Sequence, residues 1–418
     1  MFLLSVSVIF VADKRGTMDI LTRKYYADKV DSWIGKGNII VLVGPRRVGK
    51  SYILKDFIER HSKEEDINVI YVDKEKKAFG NIKTKDDLDN YIENLFQPGK
   101  HNCILVDEVQ QIEKFEESIC NWYTEDNTDV IITGSNSKML SGDLSTLLSG
   151  RYVEIRVHPL TYPEFLEFHS LQDSDESLMK YLNYGGLPGL RRIGLDSDEH
   201  VWAYLSSVFN TIMLKDIIER HDIRNVPFLN NLIAFYADTT GKLTSANSIS
   251  KYMKSQGESI SSNLVLLYRS FYEEAYLLNS ASRYDIHGKK ILESNEKVYW
   301  DDLGLRNLKA EGGMDSYIEK VIENAVYKHL CFLGYKVQVG VLGAGEVDFV
   351  CTKPGETAYV QVTYLMGEQS TRDREFGPLE KIRDNHPKYV ISATPFLTSR
   401  DENGIKHISL REFLNKGL

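Results

Sequence analysis

The stretch GPRRVGKS, residues 44–51, decides how the first part of the chain is expected to fold. It matches the pattern G-x-x-x-x-G-K-[ST] and lies between the apolar run IIVLV and the helix-like stretch SYILKDFIERH. Glycines let successive N–H groups point at phosphate oxygens, and the following helix presents its positive N-terminal end. The stretch therefore predicts a phosphate site of a nucleotide, formed by Gly44, Pro45, Arg46, Arg47, Val48, Gly49, Lys50, Ser51 and the adjoining Tyr52.

The chemistry of such a turn assigns roles to individual side chains. Lys50 is expected to neutralise the β and γ phosphates, and the Ser51 hydroxyl to ligate Mg²⁺. A strand that ends in an acid should follow, and NCILVDEVQQI, residues 102–112, supplies it. Asp107 is expected to hold the magnesium shell, and Glu108 to polarise the attacking water. An acid beside the magnesium ligand favours hydrolysis over transfer to a small substrate.

Two later stretches add catalytic candidates. DVIITGS, residues 129–135, is followed by Asn136, whose side chain is suited to orienting a water or the γ phosphate. Arg151 stands immediately before the strand-like YVEIRV. There it could reach the γ phosphate in a neighbouring subunit and stabilise the charge of the transition state. A surface arginine paired with a local acid would have the same sequence, so both interpretations of Arg151 stay open.

Length and charge limit the remaining possibilities. A chain of 418 residues should form at least two domains, because single cores stop growing at roughly 250–300 residues. The formal charge of -9 means that any nucleic-acid contact needs a local basic patch. The four cysteines form no C-x-x-C pair and the histidines show no metal-ligand spacing, which predicts a reducing compartment, the cytoplasm, and no structural zinc. No membrane partner is expected.

Six stretches occur in a fixed order along the chain: GPRRVGKS, LVDEVQ, TGSNSKML, LSGRY, PLTYPEF and YGGLPG. Together they resemble the AAA+/STAND-like ATPases of bacteria and archaea that carry a C-terminal domain of unknown function. The resemblance runs from about residue 18 to the C-terminus. It implies an α/β fold, in which a P-loop NTPase core with a five-stranded parallel sheet is followed by a helical lid, a winged-helix module and a restriction-endonuclease-like α/β domain.

The same resemblance implies that Pro188 contacts the adenine of the nucleotide. Pro188 ends the stretch Gly185, Gly186, Leu187 and Pro188, which matches a glycine-leucine-proline turn in the lid of that family. From the residues alone, this stretch is simply a turn between helices. The preference for adenine over guanine therefore depends on the resemblance.

These expectations divide the chain into five segments. They are an N-terminal extension at 1–17, the ATPase core at 18–158, the helical lid at 159–224, the winged-helix module at 225–300, and the nuclease-like domain at 301–418. The extension is apolar but has no Lys or Arg before its apolar run, as a signal peptide would. An upstream start codon and a secretory signal both stay open for it.

The winged-helix segment raises the question of DNA binding. Its helical periodicity is followed by the pattern of a hairpin around His287 and Gly288. Basic and acidic residues nearly balance over the segment, which gives no electrostatic footprint for DNA. The expected recognition helix offers Arg269, followed by Glu273 and Glu274. We expect a lid or protein-docking element, with a weak DNA contact as the alternative.

The last segment resembles the restriction-endonuclease-like fold but departs from it at one motif. Glu323 and Asp348 match the first two acidic positions, whereas Gln361 and Thr363 stand where a Glu-x-Lys tripeptide is needed. Cleavage needs a metal held by acids and a lysine near the nucleophile. We therefore expect a degenerate, inactive nuclease-like domain. An ordinary α/β domain with Asp348 in a salt bridge is the alternative.

The expected function is that of an ATP-binding and ATP-hydrolysing protein that depends on Mg²⁺. Its nucleotide state would reposition the lid and the C-terminal domains, and a protein partner of unknown identity would bind there. Assembly into a homo-oligomer stays open. The alternative functions are a DNA-binding or nuclease effector gated by ATP and a nucleotide-bound structural protein that never turns over.

Overall fold

The computed structural model describes residues 20–137, 150–257, 260–343, 345–366, 369–394 and 400–418. The N-terminal extension predicted for residues 1–17 lies outside them. Within the described residues, no helix combines the length and the apolar character that a membrane crossing requires.

The first sheet is parallel and has five strands in the order β2-β3-β4-β1-β5. Strand β1, which lies between β4 and β5, is buried at all five positions, which explains the continuous apolar run IIVLV. The five-stranded parallel sheet predicted for the core is confirmed. The strands are β1 (Ile39–Val43), β2 (Ile67–Asp73), β3 (His101–Asp107), β4 (Thr128–Gly134) and β5 (Tyr152–Arg156).

Helices cover both faces of this sheet because successive side chains of β1 point to opposite sides. Ile40 and Leu42 pack into one buried cluster with residues of α1 and α2, and Ile39 and Val41 pack into another with residues of α3 and α4. The helices are α1 (Lys24–Asp31), α2 (Lys50–His61), α3 (Lys85–Glu93) and α4 (Phe115–Tyr123), with short 3₁₀ turns at Lys77–Phe79 and Val109–Gln111.

A helical segment follows the first sheet. Its first helix begins at a capping box, in which the Thr161 hydroxyl accepts from the N–H of Glu164 and the Glu164 carboxylate accepts from the N–H of Thr161. The segment consists of α5 (Tyr162–His169), α6 (Asp175–Tyr184), α7 (Leu190–Ile193) and α8 (Asp198–Thr211), and α8 continues into a π-helical stretch at Ile212–Ile218.

Helices and a hairpin make up the next segment. The N-caps of its second and third helices are Ser245 and Ser261. The elements are α9 (Val226–Asp238), β6 (Leu243–Thr244), α10 (Ala246–Ser255), α11 (Ser262–Glu274), β7 (Leu278–Asp285) and β8 (Lys290–Trp300). β7 and β8 form the hairpin predicted around His287 and Gly288, and β6 pairs with β8.

The remaining strands continue the same sheet. The second sheet has nine strands in the order β13-β14-β12-β11-β10-β9-β7-β8-β6, because β7 pairs with β9 in parallel. The elements are α12 (Leu303–Lys309), a 3₁₀ turn at Asp315–Tyr317, α13 (Ile318–Phe332), β9 (Lys336–Leu342), β10 (Gly345–Lys353), β11 (Glu356–Thr363), α14 (Gln369–Glu380), β12 (Lys388–Ser392), β13 (Arg400–Glu402), β14 (Ile405–Ser409) and α15 (Leu410–Lys416). The sheet therefore crosses the boundary predicted at residue 300, and the five-segment division stays a prediction.

Buried histidines should make the folded state sensitive to acid. Burial lowers the pKa of His158 to about 3 and that of His329 to about 4. A histidine with a lowered pKa stabilises the fold at pH values above its unfolded pKa of roughly 6.5. That stability is lost as the pH falls from there towards the folded pKa, because the unfolded chain then binds the extra proton.

We predict that His329→Phe removes part of this acid sensitivity. The ring of His329 lies 4.9 Å from that of Phe413, so a phenyl group suits the surroundings. For wild type, the shift at His329 should cost about 2 kcal/mol of unfolding free energy between pH 7 and pH 5. Urea unfolding at the two pH values measures this loss, with the exposed His200→Gln as control. An equal loss in His329→Phe and wild type would contradict the assignment.

Candidate nucleotide site

The turn between β1 and α2 has the geometry that its glycines allow. Gly44 has φ 143° and Gly49 has φ 97°, in the region that favours glycine. A Cβ atom on Gly44 would lie 2.2 Å from the carbonyl oxygen of Val157, so the turn packs directly against the chain that follows β5. No other residue fits at position 44 without moving one of the two segments.

Lys50 is buried at the start of α2 and faces into the turn. Its Nζ donates to the carbonyl oxygens of Gly44 at 2.8 Å and Pro45 at 2.9 Å. Burial lowers the pKa of Lys50, and the carboxylates of Glu108 and Asp107 oppose this shift. The ammonium group therefore lies close to both acids predicted to act on the nucleotide.

A cavity of about 520 Å³ opens beside the turn, which is within the usual size range of small-molecule sites. Three elements contribute to its wall: the phosphate turn, the acids at the carboxyl end of β3, and the helical segment α5–α8, which corresponds to the predicted lid. Pro188 lies in this wall, and its Cγ would be 3.8 Å from a Cβ atom placed on Gly49. The structure thus brings together these predicted residues: Arg46, Arg47, Gly49, Lys50, Ser51, Tyr52, Asp107, Glu108 and Pro188.

The two carboxylate oxygens of Asp107 differ in their hydrogen bonds. Its Oδ1 accepts from the Thr133 hydroxyl at 2.6 Å, whereas Oδ2 is buried without a hydrogen-bond partner among the described residues. Burial raises the pKa of Asp107 to about 6, and the hydroxyl groups of Thr133 and Ser51 oppose this shift. A buried carboxylate oxygen beside a serine hydroxyl suits a hard cation such as Mg²⁺.

Glu108 is held in place by three neighbours. Its N–H donates to the Thr133 hydroxyl at 2.9 Å, and its Oε2 accepts from Ser135 at 3.2 Å and from Gln110 at 2.5 Å. Its φ of 54° is unusual for a residue other than glycine. Thr133 connects both acids, a role that its place inside an apolar strand did not reveal. Asn136 is buried after β4 and is not among the residues that line the cavity.

Arg151 lies away from this cavity. It is exposed, and its carbonyl oxygen accepts from the N–H of Ile39 at 2.9 Å, at the start of β1. Because the strands are parallel, this is the amino edge of the sheet, opposite the edge that carries the phosphate turn. Arg151 thus cannot reach the site of its own chain, and its action on a neighbouring subunit stays a prediction.

The turn that carries Pro188 is bonded to the C-terminal half of the chain. Asp302 is buried; its Oδ2 accepts from the N–H of Gly186 at 2.8 Å and its Oδ1 from the N–H of Leu305 at 3.0 Å. Asn307 donates to the carbonyl oxygens just before the turn, at residues 182 and 183. These contacts connect the wall of the cavity to α12, and sequence reasoning did not find them.

A second bridge lies at the carboxyl end of β5. The Nη2 of Arg156 donates to Asp301 at 2.9 Å and to Asn279 at 2.7 Å. Asp301 directly precedes Asp302 and Asn279 belongs to β7, so both sheets meet at this point.

The predicted nuclease-like residues form a separate buried cluster. The Nζ of Lys297 in β8 lies 3.0 Å from Glu323, 3.4 Å from Asp348 and 2.8 Å from Glu346. Burial raises the pKa of Glu323 to about 7; the charge of Lys297 opposes the shift and that of Asp348 adds to it. Lys297 is only 5 % exposed, and its place among these acids was not predicted.

Gln361 lies in the cluster, but its amide is occupied. Its Oε1 accepts from the N–H of Asp348 at 3.2 Å, and its Nε2 donates to Glu375 at 2.8 Å. Thr363 is buried at the end of β11. Of the predicted positions, Glu323 and Gln361 thus lie close to Asp348, and the nuclease-like assignment stays a prediction. Asp348 also lies in an ion pair, as the alternative of an ordinary α/β domain requires.

Comparison with known proteins finds family matches in two parts of the chain. Residues 36–166 match the family described as an AAA domain, and residues 175–314 match a domain of unknown function, DUF8612. A protein of Haemophilus influenzae, described as uncharacterized, is 31% identical over 403 residues, which cover 94% of this chain and 98% of that protein. The chain belongs to the family of this Haemophilus protein. Its N-terminal part matches the AAA domain family and has the five-stranded parallel sheet of a P-loop NTPase core.

Two further proteins are similar over much of the chain. The uncharacterized protein MJ1544 of Methanocaldococcus jannaschii is 27% identical over 363 residues, which cover 83% of this chain and 79% of that protein. The solved structure of the Walker-type ATPase PABY2304 of Pyrococcus abyssi is 15% identical and has a TM-score of 0.48. The match covers 69% of this chain and 95% of the Pyrococcus chain.

We predict that Asp302→Asn destabilises the protein and weakens nucleotide binding. An amide has one acceptor oxygen, so one of the two backbone N–H groups would lose its partner, at a cost of about 1–3 kcal/mol. Thermal unfolding and titration with a fluorescent ATP analogue measure the two effects. The exposed Asp315→Asn is the matched control. Wild-type affinity in a well-folded Asp302→Asn would show that Asp302 does not support the nucleotide site.

Proposed function

We propose that this protein binds and hydrolyses ATP with Mg²⁺, and that its nucleotide state repositions the lid and the C-terminal half. One observation carries the proposal. Lys50, the free oxygen of Asp107 and the held carboxylate of Glu108 converge on one cavity of about 520 Å³. A cation, a metal ligand and a candidate base are the groups that phosphoryl transfer to water needs.

The roles of these groups follow from their surroundings. Lys50 would exchange its two carbonyl contacts for the β and γ phosphates. Ser51 and Asp107 would hold the Mg²⁺, which supplies positive charge next to the phosphates. Glu108 would accept a hydrogen bond from the attacking water, in the orientation that Ser135 and Gln110 give it. Arg151 would act on the nucleotide of a neighbouring subunit if the chain assembles.

The lid contributes the base-binding part of the site. Pro188 lies in the cavity wall and would contact the adenine. Because the turn before Pro188 donates to Asp302, a shift of that turn is passed directly to α12. ATP and ADP can change the conformation only if they bind the two positions of the lid differently.

We further propose a protein partner for the segment α9 to β8. Its order of elements, with β6 paired to β8, supports a winged helix. Arg269 in α11 pairs with Glu296 at 2.8 Å, which leaves it poorly placed for a phosphate. Leu266 and Leu267 of the same helix are exposed. An exposed pair of leucines beside an arginine that is already paired favours a protein partner over DNA.

We predict that Lys50→Ala abolishes nucleotide binding, whereas Glu108→Gln retains binding and loses turnover by about 10²-fold or more. Glutamine keeps the shape of Glu108 but cannot take up a proton. Phosphate release at saturating Mg²⁺ and ATP, measured over a range of protein concentrations, checks turnover. Titration with a fluorescent ATP analogue checks binding.

Normal turnover by Glu108→Gln would show that the assigned base is wrong. Turnover by Lys50→Ala equal to that of wild type would remove the proposed site altogether. A specific rate that rises with protein concentration would support the action of Arg151 between subunits, and a constant rate would contradict it.

The gathering of Glu323, Asp348 and Gln361 supports a second candidate, a nuclease gated by ATP. Lys297 opposes it, because its ammonium group already neutralises the carboxylates that would have to hold a metal. We expect no cleavage of DNA or RNA, single- or double-stranded, with Mg²⁺ or Mn²⁺. Cleavage that Asp348→Ala abolishes would establish the nuclease instead.

A further inference from the structure

A second cation of the phosphate turn has a carboxylate partner of its own. Arg46 donates from Nε to Asp216 Oδ2 at 2.9 Å and from Nη2 to Asp216 Oδ1 at 2.8 Å. Two parallel hydrogen bonds between a guanidinium and a carboxylate fix both groups in one plane. The side chains are 15% and 2% exposed, so the pair is largely shielded from water.

Asp216 reaches the phosphate turn from an unusual element. It belongs to the π-helical stretch Ile212–Ile218, which continues α8 of the lid. π-helical turns are rare and occur often at functional sites. Leu214 and Lys215 of the stretch face solvent, whereas Asp216 is buried. The stretch thus turns one acid inward against the P-loop.

Arg46 lies among the groups that act on the nucleotide. It lines the cavity together with Lys50 and Glu108. Its hydrogen bonds to Asp216 raise the pKa of the guanidinium, and the charges of Glu108 and Glu75 raise it further. The Nη1 of Arg46 lies 3.6 Å from Glu75, whose side chain is 45% exposed. One edge of the guanidinium is therefore bound to Asp216, and among the described residues the other edge makes the longer, half-exposed contact with Glu75.

We propose that Arg46 is a phosphate-binding arginine that acts within its own chain, and that Asp216 is the positioning residue that holds it. This inference depends on the proposed ATPase function. The Nη1 edge of Arg46 binds the terminal phosphate of ATP while Asp216 retains the Nε edge. The terminal phosphate is thereby connected to the lid through one ion pair. ADP lacks that phosphate, so with ADP bound Arg46 makes no such contact between nucleotide and lid.

The test compares Arg46→Ala, Arg46→Lys, Asp216→Asn and the double variant Arg46→Ala/Asp216→Asn. Lys215→Ala is the matched control, because it lies in the same π-helical stretch with an exposed side chain. Each protein is checked for folding by thermal unfolding. The affinities for fluorescent ATP and ADP analogues are then measured, and kcat and KM are determined separately for ATP.

The expected result is a specific loss. Arg46→Ala should lower kcat by about tenfold or more and weaken binding of ATP more than that of ADP. Arg46→Lys should lose less kcat and ATP affinity than Arg46→Ala, because lysine keeps the positive charge but cannot form two parallel hydrogen bonds. Asp216→Asn should lower kcat by about threefold to tenfold in the wild-type background and should have no effect once Arg46 is alanine.

Two results would overturn this inference and leave the proposed ATPase function standing. One is wild-type kcat and wild-type preference for ATP over ADP in Arg46→Ala. The other is an equal loss from Asp216→Asn with and without Arg46, which would mean that Asp216 acts through the fold. If wild type itself neither binds nor hydrolyses ATP, the proposed function fails, and this inference fails with it.

Discussion

A buried carboxylate, that of Asp302, binds the turn that carries Pro188 into the wall of the candidate nucleotide cavity. A charge away from water is costly unless hydrogen bonds and a counter-charge compensate it. Asp302 accepts hydrogen bonds from two backbone N–H groups, those of Gly186 and Leu305. The buried Lys328 contributes a nearby positive charge. The lid turn therefore takes its position from a residue 116 positions further along the chain. The nucleotide site is a property of both halves of the protein.

Features that depend on neighbouring residues could be predicted from the sequence. Gly44 and Gly49 allow the turn, and Lys50 follows at the start of a helix. The eight residues 44–51 were therefore sufficient to predict the phosphate turn. The buried strand β1 appeared as an unbroken apolar run for an equally local reason. The acids Asp107 and Glu108 could be placed because parallel strands bring their carboxyl ends to one edge.

The remaining features depend on contacts between distant segments. Asp216, Asp302 and Lys297 stand in sequence stretches of ordinary composition, and nothing near them in sequence identifies their partners. The pairing of β7 with β9 joins two modules that local patterns separate. Arg269, considered as a DNA contact from its helix alone, has Glu296 as its partner across the fold. Only the tertiary structure contains this information.

The polarity of the parallel sheet places Arg46 and Arg151 at opposite edges. Arg46 follows the carboxyl end of β1, whereas Arg151 lies beside its amino end. A strand of five residues spans roughly 16 Å, more than any arginine side chain can cover. Arg46 therefore lies at the cavity of its own chain, whereas Arg151 cannot reach that cavity. Under the proposed function, binding of the terminal phosphate within a chain would fall to Arg46, and any action between chains would fall to Arg151.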